Sequence, residues 1–244
     1  MKEGISVVIP AYMEAENLKV SLPPIKKVLA ESGIEHEIIV VDSVQKLDAT
    51  QEVCKENGVI CVSREGDSDL YGDAVKTGIK KASLSYMIFM DADGSQKPEY
   101  IPVFYERMKQ GDVDMIIGSR YVKGGTGHEQ LSLILMSYVL NITYRIVLGI
   151  KIKDTSHGFR LYKTEQLKAV PLRGDDFDIV EEMLVKLMLT KKDYKMVELP
   201  IIFTDRTIGK SKKKLFKYII SYIRTLFWLK KIQLEAKKQK KREE

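Results

Sequence analysis

Short runs of Val and Ile recur through the first half of the chain, each followed by a stretch with helical spacing. Ile5–Ile9, Glu37–Val41, Val59–Val62, Tyr86–Met90 and Val113–Ile117 predict strands. Glu16–Ser32, Asp48–Asn57, Asp73–Ala82 and Pro98–Lys109 predict helices, the first two stopped by Gly33 and Gly58. Strands that are apolar on both faces belong in a sheet covered on both sides, and the β-α-β-α rhythm makes that sheet mostly parallel. The second half changes character. Leu131–Leu148, Val180–Thr190 and Leu215–Leu234 read as long helices. Tyr194–Phe203 reads as a strand, placed at an edge because Pro200 cannot donate to a ladder. There are no repeats and no long flexible linker. The expected organisation is one α/β domain over residues 1–210, followed by an amphipathic basic helix and tail over 211–244.

Composition excludes several classes. At 44% hydrophobic and 30% charged residues, the 244-residue chain is neither disordered nor fibrous, and it is long enough to bury a core without staples. Two cysteines, Cys54 and Cys61, make no disulfide framework and match no zinc spacing, which fits a reducing compartment. The apolar run Ile5–Ile9 stops at Pro10, too short for an export signal. The most apolar long window, Leu131–Ile150, is interrupted by Ser132, Ser137, Asn141, Thr143 and Arg145 and fails as a membrane span. The chain is therefore expected in the cytosol, soluble or peripheral on a membrane. Charge is unevenly placed: residues 205–244 hold 14 Lys/Arg against 4 Asp/Glu, while the remainder holds 26 against 30. A basic end on a slightly acidic body suits an anionic partner (membrane surface, nucleic acid or polyphosphate), and for the last residues, Lys237–Glu244, a solvated, frayed Lys-rich tail is the preferred account. Nucleic acid is not the expected partner, because no aromatic stacking platform accompanies the basic residues.

In open α/β sheets, ligands bind beyond the carboxyl ends of the strands. The first predicted strand ends in Pro10-Ala11-Tyr12-Met13-Glu14, the second in Asp42-Ser43 and the fourth in Asp91-Ala92-Asp93. The chain has neither a Gly-x-Gly-x-x-Gly after the first strand nor a Gly-x-x-x-x-Gly-Lys-Ser/Thr, which argues against a dinucleotide dehydrogenase and a standard phosphate loop. Asp91 and Asp93 are the sharpest signal. Two carboxylates at i and i+2, leaving an apolar strand, can converge on one hard cation such as Mg2+ or Mn2+. Such an ion neutralises charge developing on a diphosphate leaving group. Asp-x-Asp-Gly is also good turn chemistry, and these residues alone leave both readings open.

Several ordered pieces together resemble family 2 glycosyltransferases, in particular the dolichyl-phosphate mannosyltransferase-like branch. The pieces are Val7-Val8-Ile9-Pro10-Ala11-Tyr12 with Glu14, Ile39-Val40-Val41-Asp42, and Phe89-Met90-Asp91-Ala92-Asp93-Gly94 with Pro98-Glu99. They continue with Ile117-Gly118-Ser119-Arg120-Tyr121-Val122-Lys123-Gly124-Gly125, Asp154-Thr155 with Gly158-Phe159-Arg160, and Phe203 with Arg206, Gly209, Ser211 and Lys212. The resemblance runs from about Ile5 to about Leu229. It implies a GT-A fold, with a nucleotide-binding α/β half and an acceptor side built by the second half. Carried over by position, Pro10, Ala11, Tyr12, Glu14 and Asp42 would hold base and ribose. Asp91 and Asp93 would hold Mg2+ or Mn2+ and the donor diphosphate. Arg206 and Lys212 would close on the phosphates, and Arg120, beside Ser119, would meet the acceptor phosphate, with a salt bridge to a loop carboxylate as its equal alternative. The implied partners are a nucleotide sugar (GDP-mannose or a UDP-sugar), a polyprenyl phosphate, the cytosolic face of a membrane and a membrane-anchoring subunit.

The acceptor class sets the mechanism. A lipid monophosphate, with a second pKa of about 6, is largely anionic at neutral pH and needs no general base. A hydroxyl acceptor does need one, and Glu182 or Asp178, at the start of the helix Val180–Thr190, are the candidates. Both acidic residues also suit the N-terminal end of a helix. The loop Asp69-Leu70-Tyr71-Gly72-Asp73 is acidic where relatives carry a basic, Gly-rich segment, and no Lys or Arg lies between Lys123 and Arg145, where only His128 is near. Three readings stay open: transfer to a lipid phosphate, transfer to a hydroxyl acceptor, and a non-catalytic scaffold with this fold.

Overall fold

The computed structural model describes residues 1–66, 68–127, 131–208 and 215–243. The first half alternates β1 (Lys2–Pro10), α1 (Ala15–Ser32), β2 (His36–Asp42), α2 (Thr50–Asn57), β3 (Ile60–Ser63), α3 (Tyr71–Lys81), β4 (Leu84–Phe89), α4 (Tyr100–Lys109) and β5 (Met115–Ser119). Then come β6 (Thr126–Gly127), α5 (Leu131–Leu148), β7 (Arg160–Lys163), α6 (Thr164–Lys168), α7 (Ile179–Thr190), β8 (Met196–Pro200), β9 (Ile202–Phe203) and α8 (Leu215–Glu243). The main sheet has the order β3-β2-β1-β4-β7-β5-β8, and β6 pairs with β9 in a small second sheet.

The parallel pairs β1–β2, β1–β4, β2–β3 and β5–β8 give the expected mostly parallel sheet. One strand was not anticipated. β7 lies antiparallel between β4 and β5, which therefore do not pair with each other. Its sequence, Arg-Leu-Tyr-Lys, is four residues long and half polar, so it carries no strand signature. The strand expected over Tyr194–Phe203 divides instead. β8 takes the sheet edge, as Pro200 requires, and the chain crosses at buried Ile201 into β9. The helix expected to stop at Leu234 continues to Glu243.

Both faces of the sheet are covered. On one, Leu18, Leu22, Ile25 and Leu29 of α1 pack with Val53 of α2 and Phe104 of α4. On the other, Val75 of α3, Tyr144 of α5, Leu184 of α7 and Leu226 of α8 share one core. α8 thus packs into the body of the molecule. The Tyr144 hydroxyl donates to the Tyr222 carbonyl at 2.8 Å, and the two rings are 4.3 Å apart. α3 lies close on β1 because Gly78 has no side chain; a Cβ there would come within 2.3 Å of Val8 Cγ1. That contact sets the helix directly beneath the strand whose end begins the candidate site.

Candidate active site

β1 has β2 on one side and β4 on the other, so the crevice at their carboxyl ends is the topological switch point of the sheet. Registers put the predicted residues on one edge. Pro10 lies opposite Val41, Asp42 opposite Ser63, and Val8 opposite Phe89, two residues before Asp91. The turn after β1 is tight: Ala11 N–H donates to the Val41 carbonyl, and Met13 takes the left-handed region at φ 54°, rarely adopted by a residue with a side chain. Tyr12 is exposed at the rim.

Asp42 is fully buried at the end of β2. Its Oδ1 accepts the Ser43 amide at 2.8 Å and the Ser43 hydroxyl at 3.2 Å, while its buried Oδ2 has no hydrogen-bond partner among the described residues. Burial pushes the Asp42 carboxyl above its usual range, against the pull of the Ser43 bonds. A buried acceptor left open at a strand end is suited to a ligand N–H or O–H.

Asp91 and Asp93 leave β4 half-buried, and the buried Ala92 between them accepts a bond from the Ser21 hydroxyl of α1. Gln96 holds Asp91 twice: its Nε2 donates to Asp91 Oδ2 at 2.9 Å, and its Oε1 accepts the Asp91 amide at 3.1 Å. Asp93 Oδ1 accepts the Ser95 amide at 3.1 Å. Among the described residues, no cluster of three or more His, Cys, Asp or Glu forms a metal site. The donor set still fits Mg2+ or Mn2+, which bind through one or two carboxylates and complete their shell with water and phosphate oxygens.

The segment after β8 closes over this loop. Gln96 bridges to Phe203, Thr204 N–H donates to the Ser95 carbonyl, and Thr207 N–H donates to the Asp93 carbonyl at 2.9 Å. Gly94 makes the approach feasible. It takes φ 75°, and a Cβ there would meet Thr207 Oγ1 at 2.7 Å. Arg206, on this arm, donates to both carboxylate oxygens of Glu14, at 3.1 and 3.3 Å, and to the Ile208 carbonyl at 2.8 Å. Glu14 therefore sits with the arm's arginine, and Arg206 reaches the turn after β1. Lys212 lies outside the described residues, as does His128.

Arg120 makes a fork to Asp154: Nε and an Nη each donate at 2.9 Å, and its backbone amide adds a third bond at 3.0 Å. Burial raises the Asp154 carboxyl, but Arg120 more than offsets it and holds Asp154 below its usual range. The same guanidinium lies over the rings of Tyr121 and Phe203, at 5.2 and 5.7 Å. Ser119 is fully buried, and its hydroxyl accepts the Tyr121 amide, so it shapes the turn that presents Arg120. Asn141 of α5 accepts the amides of Thr155 and Ser156, which fixes the loop carrying Asp154.

Both candidate bases are held by groups of the protein. Glu182 is fully buried and accepts the amides of Arg173 and Gly174 and the Lys186 ammonium. It therefore offers no open oxygen to a hydroxyl acceptor. Asp178 stands at the N-terminal end of α7, accepts the Asp176 amide and makes no side-chain cap on the helix. Asp73 turns away from the aspartate loop, to Ser68 and Lys76.

Sequence reading missed Gln96, Arg64 and Tyr71. Arg64, just past β3, donates to the carbonyls of Ala11 and Leu70 and lies 5.8 Å from the Tyr12 ring centre. The strand-end rule applied to the third strand would have found it. Tyr71 stacks on Phe177 at 4.6 Å; burial, and after it the Asp91 carboxylate, holds its phenol protonated.

Comparison with known proteins places the fold and the family. A dolichol-phosphate mannosyltransferase of Pyrococcus furiosus is 36% identical over 233 residues, which make up 92% of this chain and 64% of the relative. The chain thus spans a little under two thirds of that relative's length. An undecaprenyl-phosphate mannosyltransferase of Micrococcus luteus is 29% identical over 221 residues, 85% of this chain and 86% of the relative. Among solved structures, glucosyl-3-phosphoglycerate synthase from Mycobacterium tuberculosis, in complex with Mn2+, UDP and phosphoglyceric acid, superimposes with a TM-score of 0.73. It covers 93% of this chain and 78% of its own at 19% identity, a likeness of fold, and that fold is GT-A. The family description "Glycosyl transferase family 2" matches residues 6–170, and the chain belongs to that family.

Proposed function

We propose that the chain is a metal-dependent, inverting glycosyltransferase that moves a mannose- or glucose-type sugar from a nucleotide sugar to a polyprenyl phosphate on the cytosolic face of a membrane. The observation that carries the proposal is the meeting of the Asp91–Gln96 loop with the arm bearing Arg206, at the switch point of the sheet. Both polyprenyl-phosphate relatives are named mannosyltransferases, which favours mannose and GDP-mannose over a UDP-sugar.

Each residue has a definable task. Asp42 offers its open Oδ2 to the nucleoside, while Pro10, Ala11 and Tyr12 line its entry. Asp91, held by Gln96, and Asp93 would hold the divalent ion, which neutralises the diphosphate when bound. Arg206 brings a guanidinium fork to the phosphates, and Lys212 would add a point charge. Arg120, with Ser119 shaping its turn, faces the acceptor side. The acceptor phosphate arrives already anionic and attacks in line, so positioning and charge neutralisation suffice. The filled, buried Glu182 supports this over a hydroxyl acceptor, which would need a base. No described helix is long and apolar enough to cross a membrane. The membrane reading rests instead on the exposed apolar residues of α5 and α8, and a membrane-anchoring subunit is the further partner proposed for them.

The test is transfer of label from a panel of nucleotide sugars, with Mg2+ or Mn2+, into solvent-extractable polyprenyl phosphate. Label in the lipid phase that disappears with EDTA supports the proposal and names the donor. Metal-dependent donor hydrolysis without lipid label would overturn the acceptor. Absence of both signals from folded protein would favour a scaffold.

A further inference from the structure

We propose that the C-terminal end of α5 carries a second anion site, distinct from the candidate acceptor site, that takes the phosphate headgroup of an anionic membrane lipid. A groove of about 570 Å3 lies there, lined by Ile142, Arg145, Ile146, Gly149, Ile150 and Lys151. Three isoleucines make it apolar, and two cations flank them. Neither cation has an ion-pair partner among the described residues, and the buried Nε of Arg145 has no hydrogen-bond partner. Other cations of the surface do find carboxylates, among them Lys2 with Glu35, Lys109 with Glu3, and Arg107 with Asp112. A half-buried guanidinium left open beside apolar side chains matches a ligand with a phosphate and a hydrocarbon part.

The surrounding face has the same chemistry. Leu135, Tyr138, Val139 and Ile146 form one exposed stripe along α5, and Ile146 is 76% exposed. No Asp or Glu occurs from residue 131 to 153, nor from 206 to 234 in the arm and α8, which packs beside α5. A helix C-terminus ordinarily disfavours an anion. Here α8 offsets that: Lys230 Nζ donates to the Val147 carbonyl at 2.5 Å and Gln233 Nε2 to the Leu148 carbonyl at 3.0 Å. Arg145 is eight residues beyond Ser137, whose hydroxyl contacts Arg120, so the two sites are separated by about 12 Å along the helix. An apolar, acid-free face with unpaired cations complements an anionic bilayer, and the groove gives one headgroup a defined seat.

This inference deepens the membrane reading above and rests on it. The experiment is flotation of the full chain with vesicles of phosphatidylcholine alone or mixed with phosphatidylglycerol, beside Mn2+-dependent nucleotide binding of the same samples. The parent is expected to prefer the phosphatidylglycerol vesicles. Arg145→Gln and Lys151→Gln should each weaken that binding about fivefold and leave nucleotide binding unchanged, with Arg145→Lys largely retaining it. Parent-like flotation of Arg145→Gln would overturn the site and leave the membrane reading standing. Equal binding to both vesicle types, or displacement by millimolar inorganic phosphate alone, would also overturn the lipid assignment. Failure of the parent to bind any vesicle would overturn both and favour a protein subunit on this face.

Discussion

Arg206 and Glu14 are 192 residues apart in the chain, and a guanidinium nitrogen of one lies 3.1 Å from a carboxylate oxygen of the other. The contact ties the arm after β8 to the turn after β1, across the mouth of the crevice. On the proposed function, an incoming diphosphate would compete with that carboxylate for the arginine. Arg206→Ala is expected to lower kcat/KM for the donor about 10²–10³-fold. Arg206→Lys should lose less, since the charge remains but the fork does not. Initial rates at varied donor decide it, and parent-like kinetics in Arg206→Ala would remove this residue from the diphosphate.

Asp91→Asn and Asp93→Asn should abolish transfer and metal-dependent nucleotide binding while leaving the melting transition near that of the parent. Both side chains are half-exposed at a strand end, away from the two cores. Turnover retained in either variant would show that the carboxylate is dispensable.

Gly94→Ala tests the seam between the aspartate loop and the arm. At φ 75° the added methyl strains the backbone by about 1–2 kcal/mol and meets Thr207. Nucleotide binding with Mn2+ should weaken more than global stability, as read by titration and by denaturant melts on the same preparation. Equal losses in both would mean the glycine serves only the fold.

Asp154→Ala should be among the most destabilising single changes. It strips a buried guanidinium of a two-bonded partner that is itself fully buried. About 3–5 kcal/mol is expected, visible as a lowered urea midpoint. A loss below about 1 kcal/mol would mean that Arg120 finds other partners at once.

Glu181 makes stability depend on pH. Burial pushes its carboxyl up to about 8, against the pull of Arg160. Below about 4.5 it is protonated folded or unfolded; between there and about 8 only the folded state keeps the proton. Its contribution is therefore present at low pH and is lost as pH rises through that window. Urea melts at pH 5.5 and 8 should show the parent losing stability, and Glu181→Gln should flatten the difference.

The parallel strands were legible because burial on both faces leaves almost uninterrupted Val/Ile runs, and Asp91 and Asp93 stood out because they end one. Pro200 gave its strand's edge position through a missing donor. β7 was hidden, since the four-residue strand begins with Arg160, whose two Nη groups donate to the carbonyls of Val180 and Thr155, which no periodicity reveals. The site divides in the same way. Residues at strand ends could be named singly, but the Glu14–Arg206 contact and the Gln96 clamp depend on where the arm lands. For Glu182 and Asp178, a position at the start of a helix says nothing of the backbone amides that their carboxylates accept.

The placement of β7 and of the arm has a consequence for synthesis on the ribosome. β4 and β5 have no direct pairing, so the sheet is divided until residues 160–163 have emerged and slotted between them. The two aspartates are translated long before Arg206 can reach Glu14. A nascent chain can therefore display its acidic loop before the basic arm that faces it has been translated, and on the proposed function donor binding would await the docking of that arm.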